Sequence, residues 1–143
     1  MRIEKSLSLP LAPDALWPWL ATPERLGRWI EGVERFESVP PGELAAGSRL
    51  IVHLPRGAPV EAQVERAERP SILVLRARGL PNDLEAEVAF EIRAGAGGSE
   101  LAVRAETQLR GLMVFAESMI AKKAGAALST WTEALRAAIA AGA

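Results

Sequence analysis

The sequence offers few patterns that would suit general acid–base catalysis. His53, the only histidine, lies in the segment RLIVHL, and its unperturbed pKa near neutrality would suit a general base. Glu85 and Glu87 are two residues apart on a predicted strand, roughly 7 Å, a spacing that resembles paired catalytic carboxylates. Alternation along that strand turns both toward solvent and favours a solvated pair. Whether His53 faces inward depends on whether the turn PRGAP pairs residue 54 with 59 or with 60, and the sequence leaves this open.

Composition excludes several other kinds of chemistry. The chain has no cysteine, so thiol nucleophiles, disulfides and thiolate metal sites are absent. A single histidine leaves no second imidazole for a metal site, and no G-x-S-x-G segment is present. The run GAGG at 95–98 is typical of a hairpin turn, because it neither follows G-x-G-x-x-G nor opens a helix. The sequence therefore predicts no metal and no cofactor.

Length and charge favour an ordinary globular domain. The chain has 143 residues, 49% of them hydrophobic, and a formal net charge of −1, which gives no general attraction to nucleic acid. Glu4 and two early prolines interrupt any secretory signal, and no apolar run approaches the roughly 20 residues of a membrane span. We expect a single cytoplasmic domain over 1–143, with no integral membrane segment and no nucleic-acid partner. The oligomeric state stays open.

Hydrophobic periodicity predicts mixed secondary structure. The first strand covers 2–9, and a short helix over 12–21 has Asp14 as its cap and Pro18 in its first turn. A second short helix has Thr22 as N-cap and Pro23 at its first position. Period-two alternation and turn signals at regular spacing then predict an antiparallel meander of six strands at 33–39, 47–54, 60–67, 72–78, 84–92 and 100–109. One Ala-rich helix from Leu112 to about Ala141 closes the chain.

The alternation of side chains along each strand separates an apolar face of the sheet from a solvent-exposed one. If residues 67 and 72 face each other across the turn at Arg69–Pro70, the register gives the following pairs: Val64–Leu75 and Ala62–Ala77 inside, Gln63–Arg76 and Glu61–Arg78 outside. In the last hairpin the predicted inner residues are Ala86, Val88, Phe90 and Ile92, with Leu101, Val103, Ala105 and Thr107. Four inner positions are alanines, so a curled sheet around one Ala-rich helix could leave an internal cavity. Tight backbone packing is the alternative.

The scarce aromatic residues are concentrated near the N-terminus. Trp17, Trp19 and Trp29 lie within thirteen positions, and Trp131 is the only other tryptophan. They either fix two short helices on the core or line a space inside it. Met113 and Met119 would suit an adaptable pocket, and they would equally suit gaps in an ordinary core.

The order β-α-α-β6-α, with these segments, resembles the helix-grip fold. The residues that carry the resemblance are LPLAPDALWPWLATPERLGRWIEGVERFE, GELAAGSRL, VERAERPSILVLRARG and the amphipathic helix after QLRGLM. The chain is similar over essentially its whole length to the START-like (SRPBCC) superfamily, which includes Bet v 1-type and polyketide cyclase/dehydrase-like bacterial proteins. The resemblance implies a curled seven-stranded antiparallel sheet wrapped around a long C-terminal helix, with two short helices between strands 1 and 2.

The same resemblance implies that a hydrophobic small molecule or lipid binds between the sheet and the last helix. The residues expected to contact it are Trp29, Leu54, Leu75, Ala77, Val88, Phe90, Met113, Phe115, Glu117 and Ile120. Binding without catalysis is the leading hypothesis. A polyketide cyclase/dehydrase-like enzyme, with His53 or Glu117 as proton carrier, is the first alternative. A chaperone-activator-like or assembly module, with an exposed apolar patch and a filled interior, is the second.

Overall fold

The structure is a computed structural model that describes residues 1–80, 84–109, 114 and 116–142. Its elements in chain order are β1 (Arg2–Leu9), α1 (Pro13–Ala21), α2 (Pro23–Leu26), β2 (Arg35–Val39), β3 (Arg49–His53), β4 (Val60–Glu68), β5 (Ile72–Leu80), β6 (Leu84–Gly95), β7 (Gly98–Thr107) and α3 (Glu117–Ala140). Within this described part, seven strands form one antiparallel sheet in the order β1-β7-β6-β5-β4-β3-β2. The predicted α+β helix-grip fold is confirmed.

The register of the β4–β5 hairpin is as predicted in its middle, although the assumed starting pair is wrong. The ladder contains all four predicted pairs, Glu61–Arg78, Ala62–Ala77, Gln63–Arg76 and Val64–Leu75. Ala67, however, pairs with Leu73 rather than with residue 72. The register shifts between Val64 and Arg66, where a β-bulge leaves one extra residue on β4. The bulge therefore lets both Val64 and Ala67 face the core despite their odd spacing.

The inner face of the β6–β7 hairpin consists of the predicted residues. Its inner pairs are Ala86–Thr107, Val88–Ala105, Phe90–Val103 and Ile92–Leu101. Phe90, Ile92, Leu101 and Val103 of this set are buried, whereas Glu85 and Glu106 on the other face are exposed. Residues 96 and 97 join the two strands, so the glycine-rich run is a hairpin turn.

Prolines place the first two helices. α1 begins at Pro13, whose fixed φ suits a first helical position, and its N-cap is Ala12 rather than the predicted Asp14. Pro18 therefore lies in the helix interior and not in the first turn. Since Pro18 has no N–H for the carbonyl of Asp14, that oxygen is open to another donor, and Arg69 Nη2 lies 3.5 Å from it. α2 follows the prediction, with Thr22 as N-cap and Pro23 at its first position.

Only the C-terminal part of α3 is firmly packed. Its buried residues are Leu128, Thr132, Leu135 and Ile139, one stripe at helical spacing, and they lie over the inner face of the sheet. Between Glu117 and Ala127 no residue of α3 is buried. The predicted start near 112 falls outside the described residues.

One buried apolar cluster joins the sheet, α1, α2 and α3. Its largest fully buried side chains are Trp17, Leu16, Leu20, Leu73, Leu101 and Leu135. None of the helices in the described ranges is long and apolar enough to cross a membrane.

Candidate functional site

An apolar cavity of about 270 Å³ lies between the sheet and α3. The segment from α2 to β2 closes one side, the inner faces of β2 to β7 form the wall, and α3 lies across it. The described lining residues are Leu26, Trp29, Ile30, Val33, Phe36, Leu50, Val52, Ala62, Leu75, Ala77, Ala86, Val88, Phe90, Val103, Ala105, Leu128, Trp131, Thr132 and Leu135. Trp131 is 37% exposed while lining the cavity, so it stands at the cavity's opening.

Small side chains on the sheet create the space. Ala62, Ala77, Ala86 and Ala105, the four alanines predicted to face inward, all line the cavity. Ala62 and Ala77 face each other across β4 and β5, so two neighbouring strands present only methyl groups at one level of the wall. The long helix opposite does not fill the gap.

Aromatic rings make up much of the remaining wall. Trp29, Phe36, Phe90 and Trp131 line the cavity, and these are four of the seven aromatic residues in the chain. Trp19 is core, with the Arg25 guanidinium 5.0 Å from its ring centroid, close enough for a cation–π contact. The N-terminal tryptophans therefore have both of the roles considered from the sequence.

Trp29 is held in place by a hydrogen bond that a proline makes possible. Pro23 lies four residues after Trp19 and has no N–H, so the carbonyl of Trp19 has no helical donor. The indole Nε1 of Trp29 donates to that oxygen at 3.0 Å, and both side chains are buried. This bond fixes the ring of Trp29 against the cavity.

The residues expected to contact a ligand divide into three groups. Those that line the cavity are Trp29, Leu75, Ala77, Val88 and Phe90. Leu54, just after β3, and Ile120, in the first turn of α3, are half-buried and outside the described lining; Glu117 begins α3 and is exposed. Met113 and Phe115 lie outside the described residues.

Sequence reasoning missed several wall residues. Phe36 and Val52 lie on the short strands β2 and β3, whose inward parity was undecided. Trp131 stands one turn from Leu128 and Leu135 in the recognised apolar stripe of α3, and that spacing was the available signal.

His53 lies on the outer face of the sheet, away from the cavity. β3 and β4 pair Val52 with Val60, which differs from both predicted alignments, residue 54 with 59 and residue 54 with 60. This register turns Leu50 and Val52 inward. His53 Nε2 lies 2.8 Å from Glu37 Oε1. Since a carboxylate only accepts, this nitrogen carries the proton. The hydrogen bond from His53, aided by the charge of Arg35, lowers the pKa of Glu37 from its ordinary value of 4.5.

The neighbouring carboxylates Glu85 and Glu87 belong to an ion-pair network on the outer face. Arg76 contacts Glu65 through Nε at 2.6 Å and Glu87 through Nη2 at 2.5 Å. Glu85 lies 3.6 Å from the same guanidinium. Hydrogen bonding to Glu65 raises the pKa of Arg76. The described residues contain no cluster of three or more metal-ligating side chains.

Comparisons with known proteins give structural matches only. No family model matches the chain, and no curated protein matches it in sequence. The crystal structure of protein MLL2253 from Mesorhizobium loti matches with a TM-score of 0.77 and 16% identity, over 97% of this chain and 96% of that one. The solution structure of the AHSA1-like protein from Aeromonas hydrophila matches with a TM-score of 0.72 and 14% identity, over 99% of this chain and 94% of that one.

DynU16, a protein in the dynemicin biosynthetic locus, gives a TM-score of 0.76 and 18% identity over 99% of this chain. The match covers 48% of DynU16, so this chain spans about half of that protein. Structural similarity at such low sequence identity establishes the fold and nothing more. The fold and the cavity together define a helix-grip protein with an apolar space inside.

Proposed function

We propose that this protein is a START-like, SRPBCC-type domain that binds a hydrophobic small molecule in the cavity between its sheet and α3. The observation that carries the proposal is the cavity itself, about 270 Å³ of space behind a wall of apolar side chains. Protein cores normally leave few voids larger than a water molecule, so a space of this size favours an occupant.

Binding without catalysis agrees best with where the proton carriers lie. His53 is held by Glu37 on the outer face, and Glu117 is exposed at the start of α3. Neither belongs to the described lining, whereas a cyclase or dehydratase needs an acid or base within reach of its substrate. For an assembly module we expect a filled interior, which a cavity of this size disfavours.

The proposal is tested by native mass spectrometry of freshly purified protein, with organic extraction of anything released. We expect about one hydrophobic molecule per chain. Ala77→Phe places a ring in the cavity and should remove that molecule, while Ala102→Phe, on the outer face of β7, should retain it. Both variants add the same side chain to the sheet, so the difference isolates the cavity.

Wild-type protein that emerges without a ligand would contradict the proposal if it also binds nothing from a hydrophobic panel. That panel runs from benzene to a sixteen-carbon chain, and binding is read as a rise in the thermal midpoint. Equal ligand content in wild type and Ala77→Phe would place the bound molecule elsewhere.

A further inference from the structure

We propose that the cavity selects an uncharged, flat molecule of about two fused rings over fatty acids and over dianions of the same ring size. This inference rests on the proposed binding function and narrows its ligand class. Cavity size, the aromatic wall and the pairing of the wall's buried polar atoms support it independently.

Cavity size limits the number of atoms. An apolar protein cavity of about 150 Å³ holds benzene, which has six carbon atoms. The cavity here is nearly twice that volume, so at the same packing it holds about eleven carbon atoms. Two fused six-membered rings have ten carbons and fit, whereas a sixteen-carbon acyl chain does not.

The aromatic wall favours a flat ligand. Trp29 and Phe36 come from the side next to α2, Phe90 from the sheet and Trp131 from α3, so rings face the cavity from three directions. Aromatic rings prefer offset-stacked or edge-to-face contacts with other rings, beyond the gain from area alone. The bond from Trp29 to Trp19 holds one of these rings in a fixed orientation.

The two buried polar side-chain atoms of the described wall are already engaged, and the third polar group, the indole of Trp131, stands at the opening. Trp29 Nε1 donates to the carbonyl of Trp19, and Thr132 Oγ1 donates to the carbonyl of Ser129 at 3.0 Å. The charged partners in the described network around Arg76 lie on the opposite face of the sheet. A carboxylate drawn past the opening into the cavity would lose its hydration without gaining a free buried donor, which is unfavourable.

A matched pair of probes tests the charge preference. In 2,6-dimethylnaphthalene and 2,6-naphthalenedicarboxylate the substituents occupy the same two ends, so at least one end must enter the cavity. We expect the neutral probe to bind saturably at one per chain, and the dianion at least about tenfold more weakly at pH 7, by quenching of tryptophan fluorescence. Hexadecanoate should show no saturable binding in the same measurement.

Shape is tested with naphthalene and decahydronaphthalene, which have the same ten carbons and differ in flatness. Naphthalene should bind more tightly, and Phe36→Leu should reduce that difference because it removes one ring from the wall. Tighter binding of the dianion, of hexadecanoate or of the saturated ring would overturn this inference and leave the binding function standing. Failure of every probe, with no co-purified molecule, would overturn the proposed function itself.

Discussion

Single residues at the end of α1 determine how the ring of Trp29 is fixed in the cavity wall. The carbonyl of Trp19 needs a donor because Pro23 cannot supply one, and Trp29 supplies it from ten residues further along the chain. Trp17 is in the opposite situation. Its buried indole Nε1 has no hydrogen-bond partner within the part of the chain that the structure describes.

This contrast predicts different costs for the same substitution. Trp29→Phe removes a donor and leaves a buried carbonyl unpaired, so we expect the free energy of unfolding to fall by about 1–3 kcal/mol beyond the loss of packing. Trp17→Phe removes a donor that has no partner, so its free energy of unfolding should fall only by the loss of packing. Urea unfolding of both variants measures the difference. Equal losses would show that the Trp29 bond adds nothing to stability.

Glu37 predicts a local dependence of stability on pH. Its folded pKa is lowered chiefly by the hydrogen bond from His53, so its ionised form stabilises the fold above the unfolded value of 4.5. That stabilisation is lost as the pH falls through the folded pKa. Wild type should therefore lose more stability than Glu37→Gln between about pH 5 and pH 3. Urea midpoints across that range measure it, and parallel curves would contradict it.

At the scale of elements, the sequence predicted strands and faces well because alternation and turn residues are local signals. The inner residues of β6 from Ala86 to Ile92, and those of β7 opposite them, could be read from parity alone. The bulge at Glu65 could not, since it depends on how β4 must bend to keep Ala67 inward. The alternation along a strand also indicates which face of the sheet a residue lies on, but not whether α3 covers that part of the face. For this reason Leu75 and Ala77 reach the cavity, whereas Leu54, beyond the end of β3, does not line it.

The β6–β7 turn shows how one element is fitted to the next. Gly98 has a φ of +145°, and a Cβ there would lie 2.7 Å from the N of Leu11 and closer still to the carbonyl oxygen of Leu9. The turn is thus packed against the connection from β1 to α1, where Ser99 Oγ also donates to Leu11 O at 2.6 Å.

Gly98→Ala should therefore lower the free energy of unfolding by about 2 kcal/mol or more, because both the backbone conformation and the contact are strained. Gly97→Ala is the matched control, since a Cβ at that neighbouring position meets nothing within 4 Å. Thermal unfolding of the two variants measures the difference. Equal midpoints would mean that the β1–α1 connection moves aside at little cost.

At the scale of the whole molecule, the sheet and α3 do not close on each other completely. The buried residues of α3 begin at Leu128. Apart from the half-buried Ile120, the preceding turns carry small or exposed side chains, including Met119 at 58% exposure. The cavity opens at Trp131, one turn beyond Leu128, where the packed part of the helix begins. On the proposed binding function, ligand entry is therefore expected beside Trp131 and the first turns of α3 rather than through the sheet, in which each strand is hydrogen-bonded to its neighbours.

This division of α3 predicts unequal local stability. Segments with few buried contacts open at low free energy, so backbone amides between 121 and 127 should exchange with deuterium at least about tenfold faster than those between 131 and 139. Hydrogen exchange with mass spectrometry measures both segments in one sample, and the intrinsic exchange rates supply the correction for sequence. Leu135→Ala should speed exchange in the second segment far more than in the first, since Leu135 is fully buried. Uniform protection along α3 would mean that the helix opens as one unit, and entry would then require release of its packed half.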